Sequence, residues 1–253
     1  MTNIVAFSGH KSAGKDTCVN TVLGMYLTSL HVVEGTASVL EDGKLHVTDI
    51  LGNQESEGIL DVHWRKQTLV DFLDEYVHPY VKVYSFADPL KSICMQVLGL
   101  SYEQCYGTDE QKNEKTHLKW NEMPTLIDTD RYDNYMTGRE VLQYVGTNLF
   151  REMSFNVWVD TTLRKIESEQ PGLALINDCR FPNEVEGVQK AGGKVIHLTR
   201  NPIKDEHISE TALDDYKGFD AIIDNANMSI AEQTLELEKI LGGWKCIPNL
   251  ESI

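Results

Sequence analysis

The strongest constraint on the fold is a glycine-rich loop near the start of the chain. Residues 9–17 read GHKSAGKDT and match the pattern G-x-x-x-x-G-K, which ends at Lys15. The loop follows an apolar run at residues 3–8, which predicts a buried strand, and precedes a helical pattern over residues 15–30. Such a loop turns its main-chain N–H groups toward phosphate oxygens at a helix N-terminus. The sequence therefore predicts an α/β fold that binds a phosphorylated ligand.

The residue after the loop lysine departs from the usual pattern. Most such loops place a Ser or Thr hydroxyl on Mg²⁺ at this position, whereas this chain has Asp16 followed by Thr17. A carboxylate can hold Mg²⁺ directly or through water. Alternatively, Asp16 acts as a catalytic carboxylate and Thr17 binds phosphate. The sequence leaves both interpretations open.

Strand and helix signals alternate along the rest of the chain. Apolar runs predict strands, and helical patterns lie between and after them; the strands are at 81–86, 173–177, 194–199 and 221–224, and the helices at 89–98, 138–150, 157–169, 183–191 and 229–241. This alternation predicts a P-loop NTPase fold, a three-layer α/β/α arrangement with a mainly parallel five-stranded sheet. We expect a single domain over residues 1–253. It would carry an insertion at about 35–80, with a hairpin turn at Asp42-Gly43, and a lid-like segment at about 102–137.

Composition and charge exclude several classes of protein. The 253 residues are 41% hydrophobic and 25% charged, which is typical of a globular chain and not of a disordered or membrane-embedded one. With 39 acidic and 23 basic residues the formal net charge is −16, which disfavours nucleic-acid binding. Five widely spaced cysteines without a metal-type pairing predict reduced thiols. We expect a cytoplasmic protein with no signal peptide and no membrane span.

Charged residues follow the predicted strand at 173–177. Asp178 and Arg180 come directly after it, and Glu184 lies at the start of the next helix. Because ligands bind beyond the carboxyl ends of parallel strands, Arg180 is placed to clamp a phosphate, and Asp178 to position Mg²⁺ or accept a proton. The alternatives are a salt bridge at a strand end and, for Glu184, a carboxylate in the first helical turn.

The helix predicted at 138–150 carries polar positions close to one face. These positions are Arg139, Gln143, Gly146 and Thr147. Such a face either binds a base and a phosphate or is simply solvated. Trp158 is a candidate for stacking on a base, although a lone aromatic in a helix is more often part of the core. Arg200 follows the strand at 194–199, where it could approach the terminal phosphate as an arginine finger.

Five segments of the chain carry a family pattern. They are residues 9–17 (GHKSAGKDT), 85–91 (SFADPLK), 139–147 (REVLQYVGT), 157–159 (VWV) and 176–184 (INDCRFPNE). Together they resemble the deoxynucleoside monophosphate kinases of tailed bacteriophages. The resemblance spans most of the chain and is vaguest at 35–58 and beyond Asn227. It implies transfer of the γ-phosphoryl group of ATP, with Mg²⁺, to a deoxynucleoside 5′-monophosphate, in support of the dNTP supply for phage DNA synthesis.

The same resemblance implies roles for individual residues. The residues expected to bind ATP are Lys11, Ser12, Ala13, Gly14, Lys15, Asp16 and Thr17. Arg200 is added to them from its position after a predicted strand and not from the resemblance. The residues expected to bind the monophosphate are Arg139, Gln143, Gly146, Thr147, Trp158, Asp178, Arg180 and Glu184. The expected catalytic residues are Lys15, Asp16, Asp178 and Arg180, and Asp16 is the expected Mg²⁺ ligand. Asp224 and Asn225, after the last predicted strand, resemble the place where related kinases contact adenine. Glu140 stands where another cation would be expected.

Other functions stay open at this point. Some P-loop kinases of small phosphorylated metabolites, such as phosphomevalonate, also carry the sequence Gly-Lys-Asp. A non-catalytic nucleotide-binding module would bind ATP without transferring phosphate, and a structural protein would bind no ligand. The expected partners are small molecules, ATP and a dNMP, with neither nucleic acid nor membrane; a homodimer is left open.

Overall fold

The computed structural model describes residues 2–61, 67–124, 133–203 and 208–248. The strands in chain order are β1 (Asn3–Ser8), β2 (Ala37–Val39), β3 (Leu45–Ile50), β4 (Asn53–Ile59), β5 (Val81–Tyr84), β6 (Lys115–Lys119), β7 (Tyr135–Thr137), β8 (Leu173–Cys179), β9 (Lys194–Leu198) and β10 (Ala221–Ile223). The helices are α1 (Lys15–Ser29), α2 (Gln67–Tyr76), α3 (Asp88–Gln96), α4 (Tyr102–Tyr106), α5 (Asp109–Lys112), α6 (Gly138–Gln143), α7 (Val157–Glu169), α8 (Pro182–Lys190), α9 (Ile208–Thr211) and α10 (Ile230–Trp244). Within these ranges no helix has both the length and the apolar character needed to cross a bilayer.

The chain divides into two compact units. The first consists of Met1–Ser85 and Thr162–Ile253, and the second of Phe86–Thr161. The first unit is built on a parallel sheet with the strand order β10-β9-β1-β8-β5. Its central strands β1 and β8 are largely buried on both faces, as expected for a parallel sheet that helices flank. The predicted α/β architecture with a five-stranded sheet is therefore confirmed, whereas the single-domain organisation stays a prediction.

The segment predicted as a hairpin insertion is a three-stranded antiparallel sheet, β2-β3-β4, in the first unit. The predicted turn at Asp42-Gly43 is confirmed, since β2 pairs antiparallel with β3 on either side of it. Gly43 has a φ of 82°, and a Cβ there would lie 2.7 Å from the Thr17 hydroxyl. Leu45 and Val47 are buried in the same core as α1. This sheet is therefore packed into the core next to the glycine loop.

The second unit contains α3 to α6 and the two-stranded sheet β6-β7. Its small core includes Cys94, Cys105, Met136 and Val141, all fully buried. Part of the segment expected as a lid lies here, in α4, α5 and β6; residues 125–132 of that segment are outside the described ranges. The helix expected at 138–150 is α6 followed by a π-helix, Tyr144–Arg151.

The stability of the first unit should depend on pH through His197 on β9. Its ring stacks on Phe219, with the ring centroids 4.3 Å apart, and its Nδ1 lies 3.2 Å from the Ser8 hydroxyl. Burial, assisted by the nearby His10, lowers the pKa of His197 to about 4. Because the unfolded chain then binds this proton more readily, the free energy of unfolding falls as pH decreases from about 6.5 to 4. The ring is partly exposed and solvent screens part of the effect, so the expected loss is about 1–2 kcal/mol.

Urea unfolding at pH 7 and at pH 5 checks this expectation. The matched variant is His197→Gln, which has no proton to gain in this pH range. Since other groups also titrate, the readout is the difference in pH dependence between the two proteins. An equal loss of stability in both proteins would show that His197 is not responsible.

Candidate active site

The glycine loop joins β1 to α1 at the carboxyl end of the central sheet. Gly9 has a φ of 142°, and a Cβ there would lie 2.8 Å from the carbonyl oxygen of Leu198. Gly14 has a φ of 98° and is the N-cap of α1. Both positions favour glycine for its freedom at positive φ, and Ser12, with a φ of 60°, completes the turn. The predicted strand–loop–helix arrangement is confirmed, with the N-terminus of α1 opening directly after the loop.

Lys15 folds back onto the loop. Its ammonium group donates hydrogen bonds of 2.7 Å to the carbonyl oxygens of Gly9 and His10, and the residue is only 8% exposed. Burial lowers the pKa of Lys15 to about 8, and the positive charge of the nearby Arg180 contributes to this shift to a smaller extent. An incoming phosphate would favour the charged form and would replace neutral acceptors with anionic ones. The arrangement suits a lysine that neutralises phosphate oxygens.

Asn225 stabilises the glycine loop through a hydrogen bond to its main chain. This residue is fully buried, and its side-chain amide donates to the carbonyl oxygen of Ala13 at 2.7 Å and to Gln233 Oε1 at 2.9 Å. Gln233 Nε2 in turn lies 3.1 Å from Cys18 Sγ on α1. The side-chain amide of Asn225 therefore holds the loop in place, and the expected contact of Asp224 and Asn225 with adenine stays a prediction.

Arg200 stabilises the turn after β10. Its guanidinium group donates to the carbonyl oxygen of Asn225 at 3.1 and 2.9 Å and to that of Met228 at 3.0 Å. These bonds occupy the group with main-chain acceptors, which differs from the expected arginine finger. A role toward the terminal phosphate stays a prediction that requires Arg200 to release them.

Asp16 and Asn177 lie together at the carboxyl ends of the central strands. Asp16 is exposed, and its Oδ1 accepts a hydrogen bond of 2.9 Å from Asn177 Nδ2. The Oδ1 of Asn177 is buried without a hydrogen-bond partner among the described residues. Across the same residues no three acidic, His or Cys side chains cluster closely enough to hold a metal ion. Since Mg²⁺ takes one or two carboxylates and completes its shell with water and substrate phosphates, Asp16 with the spare oxygen of Asn177 fits this ion.

Asp178 is held by the neighbouring strand. Ser85, which directly follows β5, donates a hydrogen bond of 2.5 Å to Asp178 Oδ2. Because β5 and β8 are adjacent and parallel, both residues lie at the carboxyl end of the sheet. The hydroxyl therefore fixes the orientation of a carboxylate that the sequence predicts to be catalytic.

Glu184 is a helix cap in this structure. The residue is 2% exposed, and its Oε2 accepts the main-chain N–H groups of Arg180 at 2.6 Å and Phe181 at 3.0 Å. Both bonds satisfy donors at the start of α8. Glu184 therefore holds the main chain that carries Arg180, and its expected place in the monophosphate site stays a prediction.

The guanidinium group of Arg180 and the glycine loop share one anion. Glu210 on α9 accepts a 2.7 Å hydrogen bond at Oε2 from the main-chain N–H of Lys11 and forms an ion pair at Oε1 with Arg180 Nη1. The Glu210 side chain is only 7% exposed, so this is an enclosed contact. Loop amide and arginine therefore already bind the two oxygens of a single anionic group, as binding of a phosphate would require.

Other residues expected to bind the monophosphate lie in the second unit. Arg139 donates to Asp109 Oδ1 at 2.6 Å and to Asn113 Oδ1 at 3.2 Å. Glu140, found where a cation would be expected, accepts the main-chain N–H of Thr137 at 2.8 Å in the capping box of α6. If Arg139 binds a phosphate, it must first give up its ion pair to Asp109.

Gln143 is the last residue of α6, and Gly146 and Thr147 lie in the π-helix that follows it. π-Helical turns are rare and are often found at functional sites. A Cβ on Gly146 would lie 2.7 Å from Leu90 Cδ2, the flexible end of a side chain that can shift to accommodate it. Trp158 is 4% exposed and donates from Nε1 to the carbonyl oxygen of Gly146 at 3.1 Å. The indole ring therefore lies in the interior of this unit, and its expected role in stacking on a base stays a prediction.

Sequence reasoning missed three residues of the site in the first unit. Asn177 stands directly before Asp178 at a strand end, which is the signal that could have found it. Ser85 likewise lies near the end of the strand predicted at 81–86, whereas in the structure β5 ends at Tyr84. Glu210 lies in a polar stretch without a strong periodic pattern, and no local signal marks it.

A parallel sheet, a glycine loop with a buried lysine and an arginine facing the loop define a P-loop NTPase-like kinase fold. The family model for deoxynucleotide monophosphate kinases matches residues 90–234, more than half of the chain. A protein of Acanthamoeba polyphaga mimivirus, named "Putative deoxynucleotide monophosphate kinase", is 34% identical over 165 residues, covering 58% of this chain and 76% of the relative. The chain belongs to the deoxynucleotide monophosphate kinase family and is a phosphotransferase.

The matched range begins after the glycine loop and after the three-stranded sheet. It includes every residue that the sequence predicts to bind the monophosphate, together with Arg200 and Glu210. The loop itself is identified independently, by its sequence pattern and by its position between β1 and α1.

Proposed function

We propose that the chain transfers the γ-phosphoryl group of ATP to the phosphate of a deoxynucleoside 5′-monophosphate and releases ADP and the deoxynucleoside diphosphate. The observation that carries this proposal is the shared anion site, in which the Lys11 amide and Arg180 bind the two oxygens of one carboxylate. A phosphoryl group in transfer needs donors from a glycine loop and a cation on the same group.

The donor site in this proposal is the loop from Lys11 to Thr17. Its main-chain amides bind the β- and γ-phosphates, and Lys15 exchanges its carbonyl partners for phosphate oxygens. Asp16, with Asn177 beside it, would hold Mg²⁺. When bound, this ion neutralises charge on the phosphate oxygens.

The acceptor needs little acid–base catalysis, since its phosphate oxygens are already nucleophilic. The protein contributes mainly alignment and charge neutralisation. Arg180 suits this role because a guanidinium group binds phosphate through two parallel hydrogen bonds. Asp178 keeps a fixed orientation through Ser85. Arg139, Gln143 and Thr147 are assigned to the nucleotide monophosphate as part of this proposal.

Several finer expectations belong to the same proposal. They are a lid within residues 102–137, a cytoplasmic location and a role in phage DNA synthesis. The relative named above comes from a virus, which favours a viral role. Each of these three expectations stays a prediction, and a homodimer stays open.

A substrate panel tests the proposed function. ADP release is measured with ATP, Mg²⁺ and one acceptor at a time: dTMP, dGMP, dCMP, dAMP and phosphomevalonate. We expect turnover with at least one deoxynucleotide and its loss when EDTA removes the metal. Turnover with phosphomevalonate alone would overturn the nucleotide assignment, and ATP binding without transfer to any deoxynucleotide would indicate a binding module.

A further inference from the structure

Glu210 has a position that the proposed reaction does not use. It belongs to the short helix α9, yet its carboxylate reaches the main-chain N–H of Lys11 at 2.7 Å and pairs with Arg180. The side chain is 7% exposed, so water screens these contacts little. A carboxylate of the protein thus lies where the loop offers its donors to an anion.

The same donors cannot serve two anions. The Lys11 amide has one hydrogen, and a phosphate oxygen that accepts it must displace the Glu210 oxygen. Two anions held side by side there would also repel each other strongly in a partly buried site. Binding of a phosphate at this point of the loop therefore requires Glu210 to leave.

An internal carboxylate competes more effectively with small anions than with large ones. Glu210 is tethered, so it acts at a high effective concentration against free ligands. Inorganic phosphate offers a single group in exchange, whereas a triphosphate gains further loop amides and Lys15 along its length. Competition of this kind selects for the ligand with the most phosphate contacts.

We propose that Glu210 is a specificity-determining residue, an internal anion that occupies the γ-phosphate position of the loop until ATP displaces it. This inference rests on the proposed function in placing ATP at the loop. It predicts that Glu210 weakens the affinity for every phosphate ligand and excludes inorganic phosphate from the loop.

The test is calorimetric titration of ATP and of inorganic phosphate into the wild-type protein and into Glu210→Gln, without metal. We expect the variant to bind ATP about tenfold more tightly and to bind inorganic phosphate that the wild-type protein does not retain. Unchanged or weaker binding of both ligands by the variant would overturn the proposal, since Glu210 would then support the site and not compete for it.

Asp214→Asn is the matched control. Asp214 follows the same helix and lies 3.2 Å from His10 Nε2, so it places a similar charge close to the loop without contacting the Lys11 amide. We expect its ATP affinity to stay within twofold of the wild-type value. An equal gain in both variants would reveal a general charge effect and would contradict a specific role for Glu210.

A second variant keeps the proposal testable if Glu210→Gln fails to fold. Glu210→Asp keeps the charge but shortens the side chain by one methylene group, so its carboxylate no longer spans both partners, and tighter ATP binding is again expected. Absence of dNMP phosphorylation would refute the proposed function alone. The phosphate titration would still decide the role of Glu210, because it requires only an anion at the loop.

Discussion

Replacing Lys15 with methionine is expected to lower kcat by about a thousandfold or more while the protein stays folded. The ammonium group is enclosed by the loop, where no solvent cation can substitute for it. Removing a preorganised charge from a transferring phosphoryl group costs several kcal/mol of transition-state stabilisation, and each 1.4 kcal/mol is a factor of ten. Methionine is unbranched and flexible, so it can fill the space that the buried lysine side chain occupies.

The fold should tolerate this change because the buried charge does not stabilise it strongly. Burial lowers the pKa of Lys15 to about 8, which means that the folded protein disfavours the charged form. Loss of the two bonds to the Gly9 and His10 carbonyl oxygens costs about 1–2 kcal/mol. Steady-state kinetics and thermal unfolding measure the two effects separately.

Lys190→Met is the matched control for this experiment. Lys190 is on α8, its side chain is 81% exposed, and its nearest carboxylate is that of Glu186 at 3.8 Å. The same chemical change at this position should leave kcat within twofold of the wild-type value. Near-normal turnover in Lys15→Met would refute the phosphate role of the loop lysine.

Local signals in the sequence were sufficient for most of the central fold. β1, the glycine loop and α1 are adjacent in the chain, and each is specified by its own residues: an apolar run, two glycines and a helical pattern. The turn at Asp42-Gly43 was predictable for the same reason. The π-helix after Gln143 was not, because its residues also fit an ordinary helix.

Residue types with two uses account for the differences between the expected and the observed contacts in the site. Arg200 and Glu184 carry charges that suit a ligand, but main-chain groups of the protein satisfy them equally well. Trp158 offers a ring for stacking, yet its ring and N–H are used inside its own unit. A sequence states which groups are present and leaves their partners to the tertiary structure.

The most distant contacts were beyond sequence reasoning. Glu210 is 199 positions from Lys11, and Asn225 is 212 positions from Ala13. One polar residue in a polar stretch has no periodicity that would announce such a partner. The parallel sheet order brings these segments together, and that order is a property of the whole unit.

A second large effect is expected from Arg180→Gln, in which kcat/KM for the monophosphate should fall by about a hundredfold to a thousandfold. The guanidinium group can give two charge-assisted hydrogen bonds to one phosphate, together about 3–4 kcal/mol. Glutamine keeps part of the side-chain length but supplies neither the positive charge nor the two parallel N–H donors of the guanidinium group. Arg180→Lys keeps the charge alone, so it should recover only about tenfold.

ATP affinity should change much less in Arg180→Gln, because two consequences oppose each other. Glu210 loses its cationic partner and stays as a negative charge beside the loop, which weakens ATP binding. Lys15 loses a nearby positive charge that lowers its pKa, which favours its charged form and strengthens ATP binding. Calorimetry with each ligand alone measures how much affinity is lost for ATP and how much for the monophosphate. Equal losses for the two ligands would place Arg180 in the donor site instead.

The double variant Arg180→Gln with Glu210→Gln separates the two partners of Arg180. If Arg180 acts on the monophosphate, the loss of kcat/KM persists when Glu210 is also neutral, because the ion pair exists only before the anion binds. Recovery of activity in the double variant would mean that the single variant fails through an uncompensated carboxylate beside the loop. The kcat/KM values of the wild-type protein, both single variants and the double variant distinguish these causes.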